Sequence, residues 1–224
     1  MITFDEQQRV FHLKNKEISY LFSVEEGNIL SHLYFGPAIR NYHGERRYPR
    51  VDRGFSGNLP GSMDRTYSKD DLLQEYSGNN TGDYRVPAII IKTENGSRLT
   101  DFRYKSYKIL PGKPKLAGLP ASYVKSDKEA ETLEVTLVDE TIGAQLILSY
   151  TIYNERPVIT RNARLVNTSN QELRIEKIAS VQLDLTKHDY DVISVPGQYA
   201  LERQPERQEL RRGITEFSSR RNSS

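Results

Sequence analysis

The chain of 224 residues contains no cysteine and no tryptophan, and only 2 methionines. The missing thiols exclude disulfide staples, thiolate metal sites and cysteine nucleophiles together. A chain of this length does not need staples, because it can bury most of its apolar surface in one large β domain or two small ones. An excess of charge of one sign is also missing: 32 Lys and Arg stand against 30 Asp and Glu, a net charge of +2. Nucleic-acid binding usually shows a basic excess on one face, so nucleic acid is not an expected partner. The arginines Arg203, Arg207, Arg211, Arg212, Arg220 and Arg221 read as an exposed segment near the C-terminus. No apolar run approaches the roughly 20 residues that span a bilayer. The N-terminal MITFDEQQRVFHLKNK has no basic-then-apolar leader pattern. A cytoplasmic chain with no membrane partner is expected.

Histidine is scarce too. The 4 present are His12, His32, His43 and His188, and no two share a His-x-His or His-x₃-His spacing. There is no glycine-rich phosphate loop either, so no metal and no other cofactor is expected. His43 is the histidine left open for a role, with a surface hydrogen bond as the plainer alternative.

What is present is a β pattern. Short runs rich in β-branched and aromatic residues recur between turn residues, as an antiparallel sandwich requires. They are Val10–Lys14, Ile18–Val24, Leu30–Phe35, Ala88–Lys92, Thr100–Ile109, Thr132–Asp139, Ala144–Tyr153, Val158–Asn167 and Leu173–Leu185. Asn95-Gly96 between two of them carries a hairpin signal, because glycine adopts positive φ without penalty. No capped helical stretch of ten or more residues is visible; Ser68–Tyr76 could make one or two turns with Ser68 as N-cap. The expected fold is mainly β, two large antiparallel sheets face to face.

Between Tyr42 and Pro87 the strand pattern stops. Structureless stretches beyond about 15 residues are usually functional or disordered, and disordered ones are poor in aromatics. This one holds Tyr48, Tyr67, Tyr76 and Tyr84 among Asp52, Asp64, Asp70, Asp71 and Asp83 and several arginines. Residues 43–87 are therefore expected to form a long ordered excursion that touches a ligand or partner. Carboxylates that accept hydroxyl protons, beside rings that stack on apolar sugar faces, suit a carbohydrate. Far downstream, Tyr199 in Val-Pro-Gly-Gln-Tyr-Ala belongs to the same set. The residues alone also allow a plainer reading, with Asp52 in a salt bridge or turn cap with Arg50 or Arg53 and the tyrosines closing the ends of the sandwich.

Several phrases resemble the N-terminal region of bacterial α-galactosidases of glycoside hydrolase family 36. They are Tyr48-Pro-Arg-Val-Asp-Arg-Gly-Phe-Ser56, Leu72-Leu-Gln-Glu-Tyr76, Gly82-Asp-Tyr-Arg-Val-Pro-Ala88, Thr100-Asp-Phe-Arg-Tyr-Lys105, Gly112-Lys-Pro-Lys-Leu-Ala-Gly-Leu-Pro-Ala121 and Glu129-Ala-Glu-Thr-Leu-Glu134. Asp189-Tyr-Asp, Pro196-Gly197 and Glu202-Arg203 close the series, so the resemblance runs through the whole chain in order. It implies a β-supersandwich related to galactose-mutarotase folds, followed in the family by a (β/α)₈ barrel and a smaller β domain. The family's two catalytic aspartates lie in barrel motifs that do not occur here. Residues 1–224 are thus expected to be the N-terminal domain of a larger α-galactosidase, with no catalytic residue of its own and inactive alone.

The resemblance further implies a parent enzyme that hydrolyses terminal α-galactosyl residues of melibiose- or raffinose-type sugars. Asp52 falls on the family's aspartate in a Pro-Arg-x-Asp-Arg phrase, which reaches a galactose site, often that of a neighbouring subunit in a tetramer. Tyr199 falls on an aromatic after the Pro-Gly pair that bounds the site; some relatives have tryptophan there. The implied partners are a galactoside, the chain's own barrel and further copies of the enzyme. A carbohydrate-binding module and a sugar mutarotase remain as alternatives, the latter needing a histidine acid and a glutamate base on one concave sheet. His12 and His32 offer no evident partner for that.

Overall fold

Aromatic and aliphatic residues at alternate positions set the first sheet. In the computed structural model, β1 (Ile2–Asp5), β2 (Val10–Lys14), β3 (Ile18–Val24) and β4 (Leu30–Pro37) form an antiparallel meander in chain order. Residues 1–44, 50–52, 54, 57–59, 61–79, 82–118, 121–185 and 189–219 are described. Phe4 stands opposite Phe11 and Phe11 opposite Phe22, with ring centroids 4.3 Å and 4.9 Å apart. Such cross-strand pairs are the unit of sheet stability. The β2–β3 turn is held by Asn15, whose Oδ1 accepts from the N–H groups of Glu17 and Ile18 at 2.8 Å and 2.9 Å.

The second sheet is a longer meander of β6 (Arg103–Pro111), β7 (Ala130–Asp139), β8 (Ala144–Tyr153) and β9 (Ile159–Asn167). Its alternation is regular. Leu133, Val135, Leu137, Leu146, Leu148 and Tyr150 turn to the core, while Lys108, Glu134, Ser149 and Asn162 form one row across the opposite face. The two sheets close on a shared core, where Phe22 of one stacks on Tyr150 of the other with centroids 4.9 Å apart. The first sheet is covered on its other face as well, where Val10, Leu21 and Leu33 meet Tyr34, Ile39 and Tyr42. That double burial explains why β3 reads as a nearly continuous apolar run rather than an alternating one.

The expected sandwich is therefore present as two four-stranded sheets; among the described residues there are also two two-stranded pairs. The Asn-Gly turn forms as expected, with Gly96 at φ +87° and its N–H on the Thr93 carbonyl at 2.9 Å. The strands it joins do not pair with each other. β5 (Ile89–Lys92) pairs with β10 (Arg174–Ile178), and β6 pairs with β7. Ile89 and Ile91 are wholly buried, and the chain after the turn crosses to the second sheet, where Asp139 Oδ2 accepts the Asp101 N–H at 2.6 Å. The run expected as one strand over Leu173–Leu185 stops at Ile178, because Gln182 and Asp184 beyond it bind the excursion instead. A second compact unit, Leu185–Ser224, contains the antiparallel pair β11 (Asp191–Ser194) and β12 (Glu206–Glu209). Among the described residues, no helix is long and apolar enough to cross a membrane.

His12 of β2 is buried, with Nε2 2.9 Å from the Ser19 hydroxyl. Burial, then the positive charges of Lys14 and the N-terminus, push its imidazole down to about 4. Near pH 5 the unfolded chain takes up a proton that the folded one refuses. Stability should therefore fall as pH drops from 6.5 toward 4, at a rate of up to about 1.4 kcal/mol per unit. Urea midpoints measured at pH 7 and pH 5 should show this fall, and His12→Gln should flatten it.

Candidate functional site

The excursion is built on buried anchors. Arg50 bridges Asp64 at 3.0 Å and Glu26 at 3.1 Å, and its guanidinium lies 4.3 Å over the Tyr67 ring. Tyr67 is buried with Ile29, Leu59 and Leu72 in a small core separate from the main one. Its hydroxyl donates to the Glu26 carbonyl at 3.1 Å. Ser68 then caps the expected turn, accepting from the Asp70 N–H at 3.3 Å, although the turn is a single 3-10 turn over Lys69–Asp71. After it the chain runs along the open edge of β4. The His32 N–H donates to the Leu73 carbonyl at 2.6 Å, and the Glu75 N–H to the Leu30 carbonyl at 3.3 Å.

This register turns Glu75 into the interface of the two sheets, where it is 1% exposed. Its carboxylate accepts from the hydroxyls of Tyr20 (β3) at 2.8 Å and Tyr150 (β8) at 2.9 Å. It also lies 2.8 Å from His32 Nδ1 (β4) and 3.3 Å from Arg161 Nη2 (β9). Burial alone would push this carboxyl up, but the Arg161 guanidinium and the hydrogen bonds from His32 and Tyr20 hold it below the ordinary carboxylate range. Arg161 also donates to the Gln182 and Glu75 carbonyls at 2.7 Å and 3.0 Å. A histidine and a glutamate thus do meet, contrary to the reading that left His32 without a partner. They are sealed in the core, with His32 only 4% exposed, so a sugar cannot reach the pair.

The aspartates of the excursion separate by environment. Asp64 Oδ1 accepts from the Thr66 N–H at 2.8 Å and its hydroxyl at 2.6 Å, contacts that, with Arg50, hold its carboxyl below the usual range. Asp70 accepts from the Tyr84 N–H at 3.1 Å, and Asp71 lies in the 3-10 turn. Asp83 is buried and bound by Gln74 and Arg85. Asp52 differs. It stands in an ion pair with Arg65 at 3.2 Å, the two side chains 60% and 56% exposed. Arg50, one expected partner of Asp52, is engaged with Asp64 and Glu26, and Arg53, the other, lies outside the described residues.

The candidate aromatics separate too. Tyr67 and Tyr76 are buried, the latter donating to the Ala179 carbonyl at 2.6 Å; neither ring is open to a sugar. Tyr48 and His188 lie outside the described residues, and His43 is exposed. Tyr84 is 81% exposed and Tyr199 93% exposed. Tyr199 sits on a tight turn closed by two backbone hydrogen bonds between Gln198 and Leu201, at 3.3 Å and 2.8 Å. Ala200 takes a positive φ of 65° there. Gly197 is required at its base, because a Cβ would come within 2.8 Å of Glu202 Cα. Asp52 belongs to the first unit and Tyr199 to the second. Among the described residues, no group of three or more His, Cys, Asp or Glu is placed to hold a metal ion.

A model of the glycosyl hydrolase family 36 N-terminal domain matches residues 28–224. The chain is 50% identical over its 224 residues to alpha-galactosidase 1 of Pediococcus pentosaceus and, again at 50%, to alpha-galactosidase Mel36A of Lactobacillus acidophilus. In each case the match covers all of this chain and 31% of the relative, so the chain spans just under a third of the curated relatives' length. The crystal structure of the family 36 α-galactosidase AgaB from Geobacillus stearothermophilus superposes with a TM-score of 0.92 at 42% identity, covering 99% of this chain and 30% of that one. AgaA variants from the same organism, in complexes with raffinose and with stachyose, superpose at 0.90 and 44% identity over 95% of this chain and 30% of theirs.

The Glu75 cluster generates a stability prediction. Removing one partner of a buried ion pair costs about 3–5 kcal/mol, whereas replacing both by packed apolar groups is often neutral. Glu75→Ala should therefore lower the urea-unfolding free energy by that amount, and Glu75→Leu combined with Arg161→Met should recover most of it. The carboxylate's contribution is complete above the unfolded-state value of 4.5 and is lost as pH falls below it.

Proposed function

We propose, given that the chain belongs to glycosyl hydrolase family 36 as its N-terminal domain, that it serves within an α-galactosidase acting on terminal α-galactosyl residues of raffinose- and melibiose-type sugars. In this reading the domain, residues 1–224, holds no catalytic residue. The excursion over residues 43–87 rims the galactose site of the parent enzyme, and the domain docks on its own barrel and supports assembly into a cytoplasmic homo-oligomer, a tetramer by the family resemblance. The galactoside class is supported by the relatives' names and by the raffinose and stachyose bound to AgaA.

The observation that carries the reading is the state of Asp52. Asp64 and Asp83 are held by the loop's own backbone and side chains away from open solvent, whereas Asp52 meets its loop partner Arg65 with both side chains more than half exposed. An exposed carboxylate paired to an exposed arginine can exchange that partner for a sugar hydroxyl at little cost, since surface ion pairs contribute only about 0–1 kcal/mol. Its work would be to orient galactose, which affects rate through positioning rather than bond cleavage. Tyr199, which the family resemblance also assigns to substrate, would offer its exposed ring to a galactoside.

The test uses the complete α-galactosidase polypeptide carrying this domain. Asp52→Ala should lower kcat/KM on an aryl α-galactoside by at least about tenfold, while the thermal midpoint stays nearly constant because the residue is exposed. Unchanged kinetics would remove Asp52 from the site.

A further inference from the structure

The outer face of the second sheet is partly covered by the segment that follows β6. Gly112 fixes where that segment starts: its N–H donates to the Ala130 carbonyl at 2.8 Å, and its carbonyl accepts the Thr132 hydroxyl at 2.7 Å. Residues 113–117 and 121–122 then face β7, β8 and β9 across a cavity of about 480 Å³. That volume lies within the roughly 300–1,000 Å³ of small-molecule sites. Such sites are mostly apolar, whereas the sheet side of this one is lined by hydroxyls, an amide and charged groups.

Strand alternation puts them there. While Ala163 and Leu165 of β9 pack on the core, Thr160, Asn162 and Arg164 line the cavity. Asn162 stands in one cross-strand row with Ser149 and Glu134, and Thr160 in the next with Thr151 and Thr132. Thr132 and Thr151 are engaged by the fold, their hydroxyls 2.8 Å apart. The side chains of Ser149, Thr160 and Asn162 have no hydrogen-bond partner among the described residues. The charges are unbalanced as well. Lys113, Lys115 and Arg164 line the cavity with no ion-pair partner among the described residues. Arg161 lines it too, but its guanidinium is held by Glu75. The lining carboxylate, Glu134, is already paired with Lys108 at 2.8 Å.

We propose that this cavity binds a phosphorylated monosaccharide, its phosphate among Lys113, Lys115 and Arg164 and its hydroxyls on Ser149, Thr160, Asn162 and Glu134. A cleft lined by an excess of one charge sign concentrates counter-ions of the other, so three unmatched cations select an anion. A phosphomonoester carries about −1.5 to −2 charges at pH 7, which matches them better than the single charge of a carboxylate. A guanidinium also takes phosphate bidentately. The anion alone would leave the far wall idle. Two hydroxyls and an amide without partners there suit a ligand that carries several hydroxyls of its own. A carboxylate neutralised by Lys108 still has lone pairs to accept a hydroxyl proton.

The test is isothermal titration calorimetry on the complete polypeptide that carries residues 1–224. Excess 1-deoxygalactonojirimycin, the ligand of one AgaA variant complex, is present to occupy the galactose site. Glucose 6-phosphate should bind once per chain with a Kd below about 1 mM. Inorganic phosphate, glucose and galacturonate should each bind at least about tenfold more weakly. Lys113→Ala with Arg164→Ala should weaken glucose 6-phosphate at least about tenfold. Lys115→Gln, at an exposed position off the sheet, should weaken it about threefold with the fold undisturbed. Ser149→Ala with Asn162→Ala should weaken it too and leave inorganic phosphate unchanged. Absent binding, or binding that the charge variants leave intact, overturns the proposal. Inorganic phosphate or galacturonate binding as tightly as the sugar phosphate overturns the ligand class. Because binding is read with the galactose site filled, this result and the Asp52 kinetics fail separately.

Discussion

A single buried carboxylate ties the molecule together. Glu75 arrives from the excursion, yet its partners come from β3, β4, β8 and β9, that is, from both large sheets. Removing a carboxylate and a guanidinium from water is unfavourable by several kcal/mol per ion unless geometry and further hydrogen bonds offset it. Here two tyrosine hydroxyls, an imidazole and an arginine supply that compensation. The consequence is directional: Glu75 fits only where all of these converge. Slipping the excursion by one residue along β4 would put Gln74 or Tyr76 in the cage and leave the Arg161 charge without a counter-ion. One ionic contact thus sets the register of a segment that has little regular secondary structure to set it otherwise.

The strands were legible because their information is local. β2 and β3 occupy the residues their composition indicates, and β7, β8 and β9 follow the alternation of Leu133 to Leu137, Leu146 to Tyr150 and Ala163 to Leu165. Pairing is not local, and there the pattern ran out. Asn95-Gly96 correctly marks a turn, but turn chemistry does not decide which strands flank it in a sheet. The burial of Ile89 and Ile91 against β10 overrides the hairpin. Tyr67 and Tyr76 illustrate a second limit. Their composition and loop setting suited a sugar platform, whereas packing placed one in its own small core and the other between sheets.

The candidate site was half legible for a related reason. Five aspartates in one polar stretch look alike in sequence, and nothing in their neighbours says which will be consumed by the fold. Asp64 and Asp83 answer to Thr66 and Arg85, two residues downstream each, an Asx-like spacing that offered a faint signal. The pairing of His32 with Glu75 offered none, because 43 residues separate them. Asp52 was singled out by resemblance alone. The structure adds a physical distinction, a carboxylate whose partner among the described residues is a single exposed arginine side chain, where Asp64 and Asp83 are held by several groups of the fold.

Anchoring and exposure belong to the same argument. A residue that positions a substrate must itself be held to within a fraction of an ångström, and that precision comes from supporting residues locked by packing and hydrogen bonds. The excursion meets the condition in layers: Glu75 deep in the core, Tyr67 and Arg50 in a small satellite core, and Asp52 two residues from Arg50 in solvent. The same layering extends to residues 83–86 and 181–184, where Asp83, Arg85, Gln182 and Asp184 bind one another and the excursion. The inward polar groups that clamp the excursion to the domain occupy the positions where apolar side chains would ordinarily turn to the core. Tyr84, Val86, Val181 and Leu183 are left exposed as a consequence of fixing the loop.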